Sequence, residues 1–226
     1  MAKIDENTVP AKDQLKPTQF VTFEAPEQTG IRIMFVGNSI TRHGVASNLG
    51  WHWDWGMAAS AKEKDYVHRV IASVQKVRPD ACFCICQVAD WERKYKTDEE
   101  SLPLFEAAAK FCPDIIVMRL IENATVRDED WKTFKAAFGR LIRYLDRGNK
   151  AKVLITTGFW KHAGDGALRQ FAEENGLPLV ELGDLGELDE MKAVGLFEHK
   201  GVAAHPGDLG MEQIASRILE VISDWL

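Results

Sequence analysis

The sequence predicts an α/β protein in which helices pack around a central parallel sheet of five strands. Five apolar runs are predicted as strands, and the first, over 31–37, is continuous rather than alternating, as expected for a strand that is buried on both faces. Helical segments lie between these runs, and the connections are short, which is the order of elements in α/β folds. The length of 226 residues fits a single domain of this kind.

The strands are predicted over residues 31–37, 81–89, 115–121, 152–160 and 177–182, and the helices over 64–77, 99–111, 131–145, 168–175 and 208–226. The apolar stripe of the helix over 131–145 is the clearest in the chain. Ligands of open α/β sheets bind beyond the carboxyl ends of the strands. Site residues are therefore expected after Gly37, Gln87, Leu120 and Thr156, and in the turn before the last helix.

Residues 1–30 are rich in turn-forming and charged residues and are predicted to form an N-terminal arm or an edge strand, with residues 31–226 as the domain. The net charge of -6 disfavours a nucleic-acid partner, because phosphate binding needs concentrated cations. No run approaches the roughly 18 apolar residues that span a bilayer, and the N-terminus lacks the apolar core of a signal peptide. We therefore expect a cytoplasmic protein that does not bind membranes, and an oligomer is possible.

The four cysteines are predicted to be free core residues. Cys82, Cys84 and Cys86 alternate along one predicted strand and so share one of its faces. Neighbours of this kind cannot form a disulfide without severe distortion, and no histidine lies nearby to complete a zinc site. Cys112, before Pro113, receives the same interpretation.

Three short segments carry residue types that suit nucleophilic catalysis. Ser39 in GNSIT (37–41) follows the first predicted strand, and His205 in AAHPGDLGM (203–211) is a candidate base in a rigid turn. Asn123 in RLIENAT (119–125) offers an amide donor for an oxyanion, alongside the backbone N–H of Ser39. Each segment alone is also compatible with an ordinary polar turn. GNSIT has a further alternative as a phosphate-binding loop, although it lacks the GxGxxG and GxxxxGK[ST] motifs.

In chain order these segments resemble the SGNH hydrolases, the superfamily of GDSL-type esterases and lipases. GNSIT is similar to the serine block, QVADW to the segment with the oxyanion glycine, IEN to the asparagine block and AAHPGD to the histidine block. The resemblance covers about residues 31–226. It implies a flavodoxin-like three-layer α/β/α sandwich with Ser39 as nucleophile, His205 as base and Asn123 in the oxyanion hole. Ala89 is nearest to the oxyanion glycine, and no metal or cofactor is implied.

The sequence departs from the family pattern around the nucleophile and the base. Asn38 stands where the family has Asp, and Val202 occupies the position of the acid three residues before the histidine. Three other carboxylates are candidates to orient His205: Asp208, Glu198 and Glu122. The default expectation is a Ser39–His205 dyad in which a backbone carbonyl holds the imidazole.

Tryptophans are concentrated near the predicted nucleophile. Trp51, Trp53 and Trp55 alternate in the loop after the serine block, where they are predicted to stack on a sugar or enclose an acyl group. Alternatively, they pack the loop onto the domain or form an oligomer contact. Trp91 and Trp160 follow strand ends and are predicted to line the same rim. Further polar contacts or an internal ion pair are expected from Arg42, Glu92 and Arg119.

The leading hypothesis is a serine esterase that removes a small acyl group, such as acetyl, from a carbohydrate-like alcohol. The second hypothesis is a glycan-binding module that has kept the fold without catalysis, because the usual acid is replaced by Val202. The third is a nucleotide or phosphate binder at the end of the first strand.

Overall fold

The computed structural model describes residues 15–226, which contain a six-stranded sheet. Its strands are β1 (Val21–Glu24), β2 (Arg32–Gly37), β3 (Cys82–Gln87), β4 (Ile115–Arg119), β5 (Lys152–Thr156) and β6 (Leu179–Val180). The spatial order is β1-β3-β2-β4-β5-β6, and all neighbours are parallel except β1, which runs antiparallel to β3. The predicted parallel sheet of five strands is confirmed, and β1 extends it at one edge. Residues 1–14 of the predicted arm lie outside the described residues.

Seven α-helices accompany the sheet in the described part of the chain: α1 (Tyr66–Val77), α2 (Ala89–Lys94), α3 (Glu106–Ala109), α4 (Trp131–Leu145), α5 (Asp165–Asn175), α6 (Lys200–Ala203) and α7 (Asp208–Ile222). The single helix predicted over 99–111 is wrong. Short 3₁₀ turns precede α3 there, and Pro103 explains the interruption, since proline disfavours helical backbone at the preceding residue. The sequence also did not predict α2, which directly follows β3.

Helices cover both faces of the sheet, which confirms the three-layer α/β/α sandwich. On one face the core contains residues of α4 and α5 together with Cys82, Cys84 and Cys86, which are free and buried as predicted. On the other face α1 and α7 pack against each other and over Phe83 and Ile85. The prediction that Cys112 lies in the core is wrong. The residue is exposed in the turn before β4, where its φ of 51° places it in the left-handed region.

The register of the strands brings the predicted site segments to one edge. Gly37 at the end of β2 pairs with Gln87 of β3 on one side and with Arg119 of β4 on the other. The loops that follow these three strands therefore begin side by side. Among the helices of residues 15–226, none is long and apolar enough to cross a bilayer.

An ion cluster ties β1 to the start of α1. The His68 imidazole lies 2.8 Å from Asp65 and 3.5 Å from Glu24 of β1, and Lys62 also bonds Glu24. Burial opposes the charge on His68, but its bonds to Asp65 and Glu24 outweigh that effect and raise the pKa of His68 to about 9. The bond from His68 lowers the pKa of Glu24 to about 2.

This cluster makes the free energy of unfolding depend on pH. Because the pKa of His68 is higher in the folded chain than its usual 6.5, its contribution is complete below pH 6.5 and is lost as the pH rises through 9. We expect His68→Gln to abolish a loss of about 2 kcal/mol between pH 6 and pH 9.5, a value reduced for solvent screening at the partly exposed Glu24. Urea unfolding at both pH values measures it. A wild-type stability that does not change over this range would contradict the assignment.

Candidate active site

The turn after β2 presents Ser39 at the carboxyl edge of the sheet. Gly37 is required at its start, because a Cβ there would lie 2.5 Å from the carbonyl oxygen of Arg119 and still closer to Oγ1 of Thr41. The N–H groups of Thr41 and Arg42 then donate to the carbonyl oxygen of Asn38, which closes the turn. Ser39 is partly buried here, whereas its neighbours on both sides are buried.

Ser39 and His205 are 166 residues apart in the chain and form a hydrogen bond. The distance from Oγ of Ser39 to Nε2 of His205 is 2.8 Å. The other ring nitrogen, Nδ1, lies 2.7 Å from the carbonyl oxygen of Gly201 in α6. A carbonyl only accepts, so Nδ1 carries the proton and Nε2 is free to accept the Ser39 hydroxyl. The pair therefore has the arrangement of a nucleophile and its base.

The three carboxylates considered as orienting groups all bond elsewhere or lie at the surface. Asp208 accepts from both Ser60 and Lys64, and Glu122 accepts from Arg119. Glu198 is exposed in the loop before α6. Val202, at the position of the family's acid, is buried in a small apolar cluster. The imidazole is thus held by the backbone carbonyl of Gly201.

The pKa of His205 is lowered to about 4, chiefly because burial disfavours the imidazolium. The bond to the Gly201 carbonyl opposes this effect. The edge of the Trp160 ring packs against the imidazole, with 5.4 Å between ring centroids and 87° between the planes. His205 is therefore a neutral imidazole near neutral pH, as a general base must be.

Two residues of α2 fix the orientation of the Asn123 amide. Its Nδ2 donates to Glu92 over 2.7 Å, and its Oδ1 accepts from Arg93 over 3.2 Å. Since a carboxylate accepts and a guanidinium only donates, the amide cannot be flipped. Nδ2 has a second hydrogen that Glu92 does not use, and Asn123 lines the same pocket as Ser39.

Ala89 also lines this pocket, at the start of α2, and its backbone N–H is a further candidate donor. It donates to the side-chain oxygen of Gln87 over 3.3 Å, a long bond that a ligand oxygen can replace. The pocket holds about 210 Å³ and lies between Ser39, Asn123 and His205. Its apolar wall comes from Leu49, Met57 and Val202.

A buried polar network lies next to the residues of the site. Arg119 donates to Asn38 over 2.8 Å and to Glu122 over 2.7 Å, and the Asn38 amide donates to both Glu92 and Glu122. Burial and the charge of Glu122 raise the pKa of Glu92. Burial opposes the charge on Glu122, but the charge of Arg119 and three hydrogen bonds, among them those from Phe159 and Asn38, outweigh it and lower the pKa of Glu122.

The backbone at Ile121 is strained where this network meets the site. Its φ is 150°, which a β-branched residue rarely adopts. Its N–H donates to Glu92 over 2.6 Å, and its carbonyl accepts from Ala124 over 2.9 Å. These bonds hold an otherwise unfavourable turn and so fix the position of Asn123, two residues later.

The predicted tryptophans divide into buried and accessible rings. Trp51 and Trp91 have no exposed surface, so neither can stack on a ligand as predicted. Trp91 packs in the core beside Phe134, because α2 turns that side chain inward. Trp55 is half-buried and donates to the Ala59 carbonyl, and Trp160 is half-buried beside His205. Trp53 has 40 % of its surface exposed and is the most exposed of the three tryptophans in the loop after Ser39.

Sequence reasoning placed the site segments but missed several of its groups. It named Glu92 and Arg119 without positions, and the structure places both in the buried network. It missed Arg93, and it expected a backbone carbonyl to hold the imidazole without identifying Gly201. A backbone carbonyl leaves no side-chain signal in a sequence, whereas the spacing of Arg93 from Asp90 indicated only an ordinary helix ion pair.

No family model and no curated protein sequence matches this chain. Solved structures do match it. A two-domain esterase active on acetylated mannans, co-crystallised with mannopentaose, is 18% identical with a TM-score of 0.57 over 86% of this chain. This chain spans only 50% of that protein.

Two further structures share the fold. A family two carbohydrate esterase from Clostridium thermocellum, in complex with cellohexaose, is 17% identical with a TM-score of 0.54, covering 90% of this chain and 67% of that one. A protein described as a GDSL-like lipase from Parabacteroides merdae is 14% identical with a TM-score of 0.51, covering 85% and 95%. These similarities confirm the fold that the resemblance to the SGNH hydrolases implied.

Proposed function

We propose that the protein is a serine esterase that removes a small acyl group, such as acetyl, from a carbohydrate-like alcohol. The observation that carries this proposal is the hydrogen bond of 2.8 Å between Ser39 and a neutral His205 whose other nitrogen is held by Gly201. This is the geometry of an activated nucleophile. The amide of Asn123 and the N–H of Ala89 at the same pocket add donors for an oxyanion.

In the proposed reaction, Oγ of Ser39 attacks the ester carbonyl carbon while its proton moves to Nε2 of His205. The carbonyl oxygen becomes an oxyanion, which accepts hydrogen bonds from the N–H groups of Ser39 and Ala89 and from Nδ2 of Asn123. The carbon–oxygen bond to the alcohol breaks, and His205 returns the proton to the leaving oxygen. Water then attacks the acyl-enzyme by the same route and releases the acid and Ser39.

Two findings support the substrate class. A pocket of about 210 Å³ with an apolar wall suits a short acyl group better than a long chain. The structural neighbours include an esterase active on acetylated mannans and a carbohydrate esterase in complex with cellohexaose. Since the similarity to those proteins is one of fold, the sugar ester is part of the proposal.

Hydrolysis of a short-chain aryl acetate and covalent labelling by a serine-directed phosphonate test this function together. We expect the wild-type protein to release the phenol and to carry the label on Ser39, located by mass spectrometry. The Ser39→Ala variant should remain unlabelled. If Ser39 stays unlabelled while the protein still binds oligosaccharides, a glycan-binding module without catalysis replaces the esterase.

Replacing Asn123 by alanine tests the oxyanion hole. We expect kcat for the aryl acetate to fall by about 10²–10³-fold, as is typical when one oxyanion donor is removed. KM should change little, because the donor acts on charge that develops in the transition state. Asn175→Ala is the matched control, since that side chain bonds only the Phe171 carbonyl at the end of α5. Equal losses in both variants would argue against the assignment.

The pKa of His205 predicts activity at acidic pH. A base must be neutral to accept a proton, and burial lowers the pKa of His205 to about 4. We expect kcat/KM to be constant down to about pH 5 and to fall tenfold per pH unit below 4, instead of falling near the usual 6.5. A pH profile with circular dichroism at each point separates protonation from acid unfolding. An acid limb centred near 6.5 would show that the imidazole is solvated.

A further inference from the structure

A second groove opens beside the proposed catalytic pocket. It holds about 690 Å³, against about 210 Å³ for the pocket itself. Leu49 and His199 line both cavities, so the groove adjoins the pocket. The alcohol portion of an ester bound at Ser39 would therefore lie next to this groove.

One wall of the groove is an exposed indole. Trp53 is 40 % exposed, and its ring centroid lies 5.1 Å from Trp51 and 5.5 Å from Trp55. Trp51 is buried and donates to the His43 carbonyl, and its backbone pairs with Ala46 in both directions. Since its neighbours are fixed, the Trp53 ring loses little freedom when a ligand stacks on it.

The rest of the groove lining combines apolar and hydrogen-bonding side chains. Leu196 is 70 % exposed, and Phe197 packs against Trp51 with 6.1 Å between ring centroids. Exposed hydrogen-bonding groups line the same groove: Ser47, Asn48 and Glu198. No Lys or Arg lines it, and the carboxylate of Glu198 disfavours an anionic ligand. An aromatic face beside hydroxyl, amide and carboxylate groups suits a neutral sugar, which has apolar C–H faces and hydroxyls around its edge.

We infer that this groove is the binding site for the saccharide on the alcohol side of the ester, with a pyranose ring stacked on Trp53. The inference rests on the proposed function for its orientation, since it places the scissile ester at Ser39. It makes Trp53 a specificity residue that does not touch the reacting atoms. Binding of the saccharide itself needs no catalysis.

The test compares two substrates in variants of the full chain. For acetylated mannopentaose we expect Trp53→Ala to raise KM about five- to tenfold, from the loss of one aromatic contact, while Trp53→Phe keeps most of the affinity. For the aryl acetate, which fills only the catalytic pocket, KM should stay within about twofold. Trp225→Ala is the control, because the Trp225 ring lies under the ammonium of Lys152 at the start of β5, whereas the site lies at the carboxyl ends of the strands.

A binding measurement separates this inference from the proposed function. Unacetylated mannopentaose should quench the tryptophan fluorescence of the Ser39→Ala variant, and the further change Trp53→Ala should abolish most of the quenching. If the wild type hydrolyses neither ester but the quenching depends on Trp53, the saccharide site in the groove is supported and the proposed esterase activity is rejected. If the aryl acetate is hydrolysed while Trp53→Ala leaves KM for the pentasaccharide ester unchanged, the groove assignment is wrong. Equal increases in KM for both substrates would also overturn it.

Discussion

The Ser39→Ala variant loses at least about 10⁴-fold in kcat/KM for an aryl acetate, which is the largest effect we expect from any substitution in this chain. In the proposed reaction the hydroxyl forms the bond to the acyl group, and the groups that line the pocket offer no second nucleophile next to the Nε2 of His205. The residual rate comes from binding and from the oxyanion donors. Steady-state kinetics measures the loss.

The variants His205→Ala and Ser39→Ala/His205→Ala extend this test. Because nucleophile and base act as one unit, the double variant should be no slower than either single variant within about threefold. Ser60→Ala is the matched control. That hydroxyl also forms a hydrogen bond, 2.7 Å to Asp208, but lies outside the pocket. A Ser39→Ala variant that keeps a tenth of wild-type activity would falsify the nucleophile assignment.

The Arg119→Met variant is expected to lower the free energy of unfolding by about 3–5 kcal/mol, the cost of leaving a buried charge without its partner. Arg119 is fully buried, and only 8% of the Glu122 side chain is exposed. Without the guanidinium, Glu122 and the Oδ1 of Asn38 lose their shared donor. Urea unfolding at pH 7 measures the change, and the pKa of Glu122 should rise with it.

The double variant Arg119→Met/Glu122→Gln tests the cause. Because it removes both charges, we expect it to recover about half or more of the lost stability. Arg127→Met is the control, since Arg127 and Glu129 form an ion pair at the surface with 72% and 68% of their side chains exposed. That variant should change stability by less than about 0.5 kcal/mol. A loss below about 1 kcal/mol in Arg119→Met would show that solvent reaches the network.

The sheet could be predicted because its central strands are runs of apolar residues, as burial on both faces requires. Each apolar run of β2, β3 and β4 is buried on both faces, and this requirement is visible residue by residue. The segment 99–111 was harder, since its apolar spacing favours a helix while Pro103 interrupts the backbone. Trp91 was misplaced for a similar reason. Its position after a strand did not reveal that α2 starts at once and points the ring into the core.

By itself, the sequence determined the parallel α/β sandwich and the sheet edge to which Ser39, Asn123 and His205 belong. Both follow from local properties, namely hydrophobic pattern and the rule that loops after parallel strands share an edge. Only the tertiary structure decided that the Gly201 carbonyl holds the imidazole, that Arg119 pairs with Glu122, and that Trp53 alone of the loop's three indoles is exposed. These features depend on contacts between segments that are distant in the chain. Neither the position of a backbone carbonyl nor the side of a loop that is buried produces a pattern in the sequence.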